Sequence, residues 1–253
     1  MYSFSSTGVD NEKYMKNFST VILADSFEGQ QSNMDSLPQF LHEIDGRKLI
    51  EWQLEALKQI GIKKINIVVG YQREAVFQIL EKYSKLFDLT ILYNNEFYNR
   101  GNSFSLYLGT KNIRENTLVI DGNYLLGPKV LNNFLEELDK DCILVRKGDL
   151  KEAESTKVLV DNTNFVSEMI SKRLLSLFEL KNLQFVGVFS GGLKISLSTM
   201  QEFKNFSEQY VKEEKNIKKN LEDLLSDFCL NHKFTYQMAQ CEIFKLANQE
   251  KIF

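Results

Sequence analysis

The sequence predicts an α/β protein with a mixed, mainly parallel sheet flanked by helices, and three observations carry that prediction. Val21-Ile22-Leu23-Ala24 is an apolar, strand-like run that breaks into a long polar stretch before the chain recovers at Leu37-Pro38 and enters a helix at Arg47. Strand, polar loop and helix in that order is how open α/β sheets present a ligand site at the carboxyl ends of their strands. Ile65–Val69 (INIVV) is β-branched and ends in Gly70-Tyr71, the pattern of a buried parallel strand. Strand-like and helix-like runs then alternate at the spacing of βαβ units.

The elements follow in order. Arg47–Ile60 places Leu49, Ile50, Gln53, Leu54, Leu57 and Ile60 at helical spacing, with Gly61 as the stop. Arg73–Phe87 reads as a second amphipathic helix, Leu89–Tyr93 as a third strand, and Asn102–Lys111 as a short helix. Thr117–Asp121 is a fourth strand, with Gly122-Asn123 as its turn. Gly127-Pro128 opens a helix to Leu138, proline suiting its first turn. Cys142–Val145 is a fifth strand. Lys157–Val160 and Phe165–Ile170 form a hairpin about Asp161–Asn164, and Gln184–Ser190 is a strand closed by Gly191-Gly192. Lys194–Tyr210 and Asn216–Asn231 read as helices, and Phe234–Met238 and Cys241–Phe244 as late edge strands. Residues 1–17 are polar and read as a loose N-terminal segment, and 18–253 as one α/β domain.

Composition narrows the function. Of 253 residues, 43% are hydrophobic and 26% charged, which is ordinary globular composition. A net charge of -3 argues against nucleic acid as the main partner. Cys142, Cys229 and Cys241 are odd in number and widely spaced, so they read as free thiols of a reducing compartment. His42 and His232 have no nearby ligand pattern. No apolar run approaches the ~18 residues of a membrane span, and the N-terminus lacks the apolar core of a secretory signal. A cytoplasmic protein with no membrane partner is the expectation.

Several stretches carry a family resemblance: VILA at 21–24, the neighbourhood of Pro38, DGRKLIEWQLEALKQIGIKKINIVVGYQREA at 45–75 and GNSFSLYLG at 101–109. ENTLVIDGN at 115–123, TKVLVDNTNFVSEMISK at 156–172 and FVGVFS at 185–190 add to them. Together they resemble the sugar-phosphate and choline-phosphate nucleotidyltransferases. The G-N-x-x-S-L-Y-L run, with V-V-G-Y upstream, is most similar to the CTP:phosphocholine cytidylyltransferase branch. The resemblance implies a Rossmann-like fold of the nucleotide-diphospho-sugar transferase type. It also implies attack of an acceptor phosphate on the α-phosphate of a nucleoside triphosphate, with pyrophosphate leaving. Such catalysis is positioning plus electrostatic stabilisation.

In that family the first loop reads A-G-x-G-x-R, then P-x-T, then P-K. Its glycines admit phosphates to backbone N–H groups, its Arg and Lys hold phosphate charge, and two aspartates hold Mg²⁺. Laid on residues 24–39 without a gap, the small residue and first glycine become Asp25 and Ser26. The second glycine becomes Glu28, the arginine Gln30, the threonine Asp35 and the lysine Gln39, while Pro38 is retained. Two positive charges are absent, and carboxylates stand where anionic phosphates belong. The strand-end metal aspartate falls on Asn123, with Asp121 two residues before it as a substitute metal ligand. The late E-I-D motif reads Glu242-Ile243-Phe244.

The resemblance places Leu23, Ala24, Asp25, Gly70, Tyr71, Gly101, Asn102 and Ser103 around a nucleotide. Two readings stay open for Gly70-Tyr71 and Gly101-Asn102-Ser103: a nucleoside pocket, or strand-end and helix-capping duty. Lys172 matches a lysine that reaches an acceptor phosphate, and equally suits an exposed surface. Asp25, Glu28 and Asp35 read as a solvated acidic loop before a cation site. Trp52, Tyr98, Phe104 and Tyr107 suggest a cation–π box, although Trp52 and Tyr107 sit on apolar helices. Glu222 lies in a segment resembling the acceptor side, or is a helix surface charge.

The expected function is therefore a nucleotidyltransferase-fold pseudoenzyme, degenerate in catalysis, that binds a nucleotide, a phosphorylated small molecule or a protein partner and needs no cofactor. The alternative is an active nucleotidyltransferase joining CTP or another triphosphate to a phosphorylated small molecule, with Mg²⁺ bridged by Asp25, Glu28 and Asp121.

Overall fold

A computed structural model describes residues 18–25, 38–136, 140–239, 243–245 and 250–252. The segment 1–17, the loop positions Ser26, Glu28, Gln30 and Asp35, and Cys241 and Glu242 lie outside the described residues. The chain runs through β1 (Phe18–Ala24), β2 (Glu43–Ile44), β3 (Arg47–Lys48), α1 (Leu49–Gln59), β4 (Lys64–Val69), α2 (Arg73–Glu81), β5 (Asp88–Tyr93) and α3 (Ser103–Thr110). It continues through β6 (Asn116–Asp121), β7 (Tyr124–Leu126), α4 (Pro128–Leu135), β8 (Cys142–Arg146), β9 (Lys157–Val160) and β10 (Val166–Ile170). The last elements are α5 (Leu177–Asn182), β11 (Gln184–Ile195), α6 (Leu197–Lys212), α7 (Leu221–Cys229), β12 (Thr235–Met238), β13 (Ile243–Lys245) and β14 (Glu250–Ile252).

The main sheet has the order β10-β9-β11-β6-β1-β4-β5, with β8 pairing β11 and β12 pairing β8. β6, β1, β4 and β5 are mutually parallel. β11 joins them antiparallel through β6 and also holds β8 and β9 antiparallel. The sheet is mixed, as the sequence predicts: four adjacent parallel strands come from the first half, and β12 pairs β8 parallel in the second. β1 shows why it is central: both its faces are buried. Ile22 and Ala24 enter an apolar cluster with α1, α2 and α4, while Val21 and Leu23 enter a second cluster with α3, α6 and α7. That is the period-two alternation of a strand covered on both sides. Full burial of each such Val, Leu or Ile contributes about 1.5–3 kcal/mol.

Several boundaries differ from the sequence reading: the helix read over Asn216–Asn231 starts only at Leu221, and the helix opened by Pro128 ends at Leu135. Arg47-Lys48 is not helical but pairs with Glu43-Ile44 across Asp45-Gly46, both at positive φ (50° and 78°). This is an Asp-Gly hairpin turn, and the helix begins only at Leu49. The second helix stops at Glu81, and the Ser84 hydroxyl donates to the Glu81 carbonyl at 2.8 Å, a local competitor of helix hydrogen bonding. β11 does not close at Gly191-Gly192 but runs on to Ile195, so Lys194 is a strand residue. Buried, Lys194 donates to the Phe134 carbonyl at 2.9 Å. The late strand β13 pairs with β7, outside the main sheet.

Candidate functional site

Parallel pairing brings the carboxyl ends of four strands to one rim. Leu23 is in register with Asp121, Ala24 with Val69, and Val69 with Tyr93. Asp25, Gly70, Asn94 and Asp121 therefore sit at, or one residue past, adjacent strand ends.

Asp25 is not a solvated loop residue. It is 5% exposed, and its Oδ2 accepts hydrogen bonds from the Ser105 hydroxyl on α3 and from Asn94 Nδ2 at 3.2 Å. Asn94 Nδ2 also lies 2.7 Å from Ser105 Oγ, and Asn94 Oδ1 accepts the Glu96 N–H at 2.9 Å. The Asn94 N–H continues the ladder to the Val69 carbonyl at 2.8 Å. Asp25 Oδ1 is buried and has no hydrogen-bond partner among the described residues. Burial pushes the Asp25 carboxyl above the usual carboxylate range, against the pull of Ser105 and Asn94. Sequence reasoning missed Asn94 and Ser105; the only signal was their place just after a strand and inside GNSFSLYLG.

Beside this network lies a cleft of about 340 Å³, lined by Gly70, Tyr71, Arg73, Tyr93, Asn94 and Phe97. Gly70 packs under Phe97: a Cβ there would fall 2.8 Å from that side chain. Phe97 in turn faces Tyr71 and Tyr98, with ring centroids 6.2 and 4.2 Å away, and the Arg73 guanidinium lies over Tyr93. Leu23 and Ala24 are buried in the floor of the rim.

Asp121 is half-buried, and its Oδ1 accepts the Asn123 N–H at 3.0 Å. Gln53 of α1 clamps the turn that follows, its Nε2 donating to the carbonyls of Gly122 (3.1 Å) and Tyr124 (2.8 Å). Among the described residues, no group of three or more His, Cys, Asp or Glu is placed to hold a metal ion. Asp25 is committed to Ser105 and Asn94, and Asp121 serves a turn. Asp25 binds its partners through Oδ2 and Asp121 holds its turn through Oδ1, whereas Mg²⁺ at a phosphoryl-transfer site takes one or two carboxylates together with substrate phosphates.

Gly101, Asn102 and Ser103 face a different neighbour. The Gly101 N–H donates to the Ile217 carbonyl at 2.8 Å, and a Cβ on Gly101 would lie 2.0 Å from the Lys219 carbonyl oxygen. Ser103 Oγ donates to that same carbonyl at 2.7 Å, and Asn102 Oδ1 accepts the Leu221 N–H at 2.7 Å. The three residues clasp the entry to α7, and Asn102 satisfies one of the orphan N–H groups of its first turn. Lys172 is exposed and takes a left-handed backbone (φ 53°). Next to it, Ser171 Oγ bonds Thr156 Oγ1 at 2.6 Å, and Thr156 Oγ1 donates to Glu222 at 3.2 Å. The aromatic residues do not converge. Trp52 Nε1 donates to the Ile44 carbonyl at 2.8 Å beneath Arg47, Tyr98 packs on Phe97, and Phe104 lies by Tyr107 with Arg100 over it.

No family model matches the chain. Choline-phosphate cytidylyltransferase of Streptococcus pneumoniae (strain ATCC BAA-255 / R6) is 34% identical over 101 residues, 40% of this chain and 42% of that protein. Bifunctional protein GlmU of Gloeothece citriformis (strain PCC 7424) is 28% identical over 151 residues, 57% of this chain and 33% of that protein. The matched stretches thus span less than half the length of these relatives. The solved structure of CTP:phosphocholine cytidylyltransferase from Streptococcus pneumoniae superposes with a TM-score of 0.68 at 19% identity, over 90% of this chain and 93% of that one, a likeness of fold.

Proposed function

Because the chain has the nucleotidyltransferase fold and is related in sequence to the CTP:phosphocholine cytidylyltransferase-like and GlmU-like members of that family, we propose that it is a catalytically degenerate member. In this reading it binds a nucleotide or phosphorylated small molecule without transferring a nucleotidyl group. The observation that carries the reading is the Asp25–Asn94–Ser105 network at the end of β1. A triphosphate approaches such a strand end through bare backbone N–H groups. In this reading the Asp25 side chain and its polar partners take up that approach, and a carboxylate beside phosphates costs several kcal/mol. The cleft beside Gly70 and Tyr71 is left to receive the ligand.

A cytoplasmic location belongs to this proposal. Cys142 and Cys229 are buried and unbridged, and no helix among the described residues is long and apolar enough to cross a membrane. The reading of an active, Mg²⁺-dependent cytidylyltransferase draws on the open cleft and on the exposed Lys172.

Two measurements separate them. Pyrophosphate release is followed with CTP, UTP, ATP or GTP, Mg²⁺, and phosphocholine or a sugar 1-phosphate; background release is expected, and Mg²⁺-dependent turnover with any pair overturns the proposal. Thermal unfolding with the same nucleotides tests binding. A ligand at ~100 times its Kd adds ~2.7 kcal/mol, which raises the midpoint by roughly 5–10 °C for a chain of this size. A rise that does not require Mg²⁺ is expected.

A further inference from the structure

The link between β10 and β11 carries an inverted surface helix. In α5 and the turn before it, Leu174, Leu177, Phe178 and Leu180 are 72, 86, 75 and 49% exposed. The polar residue among them, Glu179, is turned inward and buried. Both its carboxylate oxygens take the Arg173 guanidinium, it accepts the Ser176 N–H, and Ser176 Oγ accepts the Glu179 N–H in return. A surface helix ordinarily buries its apolar stripe and offers its polar one to water. Here the polar side chain pins the helix down, and the apolar side chains are held outward on a capped, ion-paired mount.

We propose that this face is the contact surface of a two-fold dimer of this chain. Phe178 alone presents on the order of 150–250 Å², and with the three leucines the exposed patch reaches roughly 500 Å², the upper part of the range of a monomer's largest apolar patch. That is more than half of the ~800 Å² each partner gives to a stable interface. Leu177, Phe178 and Leu180 lie on α5 with Leu174 in the turn before it, an apolar face for its own copy about a two-fold axis, the commonest symmetry of such contacts. The surroundings are self-complementary in charge. Lys172 and Lys181 are exposed on the α5 side. The adjoining groove is net acidic: Glu168, Glu179, Asp223 and Asp227 line it against Arg173 and Lys219, which are paired with Glu179 and Asp223. A second copy matches basic rim to acidic groove, whereas an anionic lipid surface is repelled by the groove. The inference rests on neither the nucleotide cleft nor the proposed loss of catalysis.

The test is sedimentation velocity of the full chain from about 1 to 100 μM. Twice the monomer mass is expected, with dissociation on dilution. The double variant L177E/F178E is expected to sediment as a monomer with unchanged far-UV circular dichroism. Phe178→Ser, a milder change on the same face, is expected to weaken association by about tenfold or more. A wild-type monomer at 100 μM overturns the proposal, as does a dimer that survives L177E/F178E. Flotation with phosphatidylglycerol vesicles that L177E/F178E abolishes would assign the face to a lipid surface instead, and also overturns it.

Discussion

Asp25 concentrates what the sequence shows and what it hides. It is legible as an acidic residue at a position the resemblance gives to a small one. Its burial is not, because its partners Asn94 and Ser105 stand 69 and 80 residues away and meet it only when β1, β5 and α3 pack. One prediction follows from its charge. Burial raises the folded-state pKa above the ordinary 3.8, so the native state binds this proton more tightly than the unfolded chain does. Stability from this group is fully present below the unfolded value and is lost as pH rises through the folded one. Asp25→Asn removes that loss. The variant is expected to be more stable than the wild type at pH 7. The advantage should shrink towards zero as pH approaches 3.8 from above. Urea unfolding at pH 4 and pH 7 checks it, and an Asn variant less stable at pH 7 would refute it. Glu28 and Asp35, grouped with Asp25 by sequence, lie outside the described residues.

At the scale of elements, the parallel half was readable because its strands are apolar runs and its helices keep a clear period. The readings slipped where a turn residue acts inside an element. Asp45-Gly46 signals a hairpin, yet the helical pattern after it masked the two-residue strands. Gly191-Gly192 signals a stop, but in β11 it makes a bend. Gly191 has φ 79°, and the pairing of β11 with β8 shifts register between Phe189 and Leu193. The same bend lets Tyr124 pack close, since a Cβ on Gly191 would lie 2.4 Å from its ring. Gly191→Ala therefore meets a backbone region L-residues avoid and a ring with little room to move, as Tyr124 is 5% exposed. A loss of about 2–4 kcal/mol is expected, seen as a lower urea midpoint with an unchanged slope. A variant within 0.5 kcal/mol of the wild type would mean that the bend is not held by this contact. α5 escaped the sequence reading for another reason: its outward face is apolar, so its pattern names no core.

Across the whole molecule, a shared apolar cluster joins the two halves of the chain, and two hydrogen-bonded features reinforce it. β11 pairs with β6 through its last residues and with β9 through its first. The Gly101–Ser103 turn clasps residues 217–221 over sequence separations of 116 to 119. The resemblance assigned that turn to a nucleotide, and its bonds to the α7 entry are non-local, so neither composition nor spacing could reveal them. This architecture predicts how the chain unfolds. Asn102→Ala removes the acceptor for the Leu221 N–H and should cost about 1 kcal/mol, as other lost helix caps do, lowering the thermal midpoint by roughly 2–4 °C. It should not split the transition, because β11 still spans both halves. The single tryptophan, Trp52, lies in α1 within the parallel half, so its fluorescence follows that half while far-UV circular dichroism follows the whole chain. In the wild type and in Asn102→Ala the two signals are expected to trace one curve in urea, the behaviour of a two-state unit. If fluorescence and dichroism separate in the variant alone, the clasp rather than β11 makes the two halves cooperative. If they separate in the wild type, residues 18–253 contain more than one folding unit.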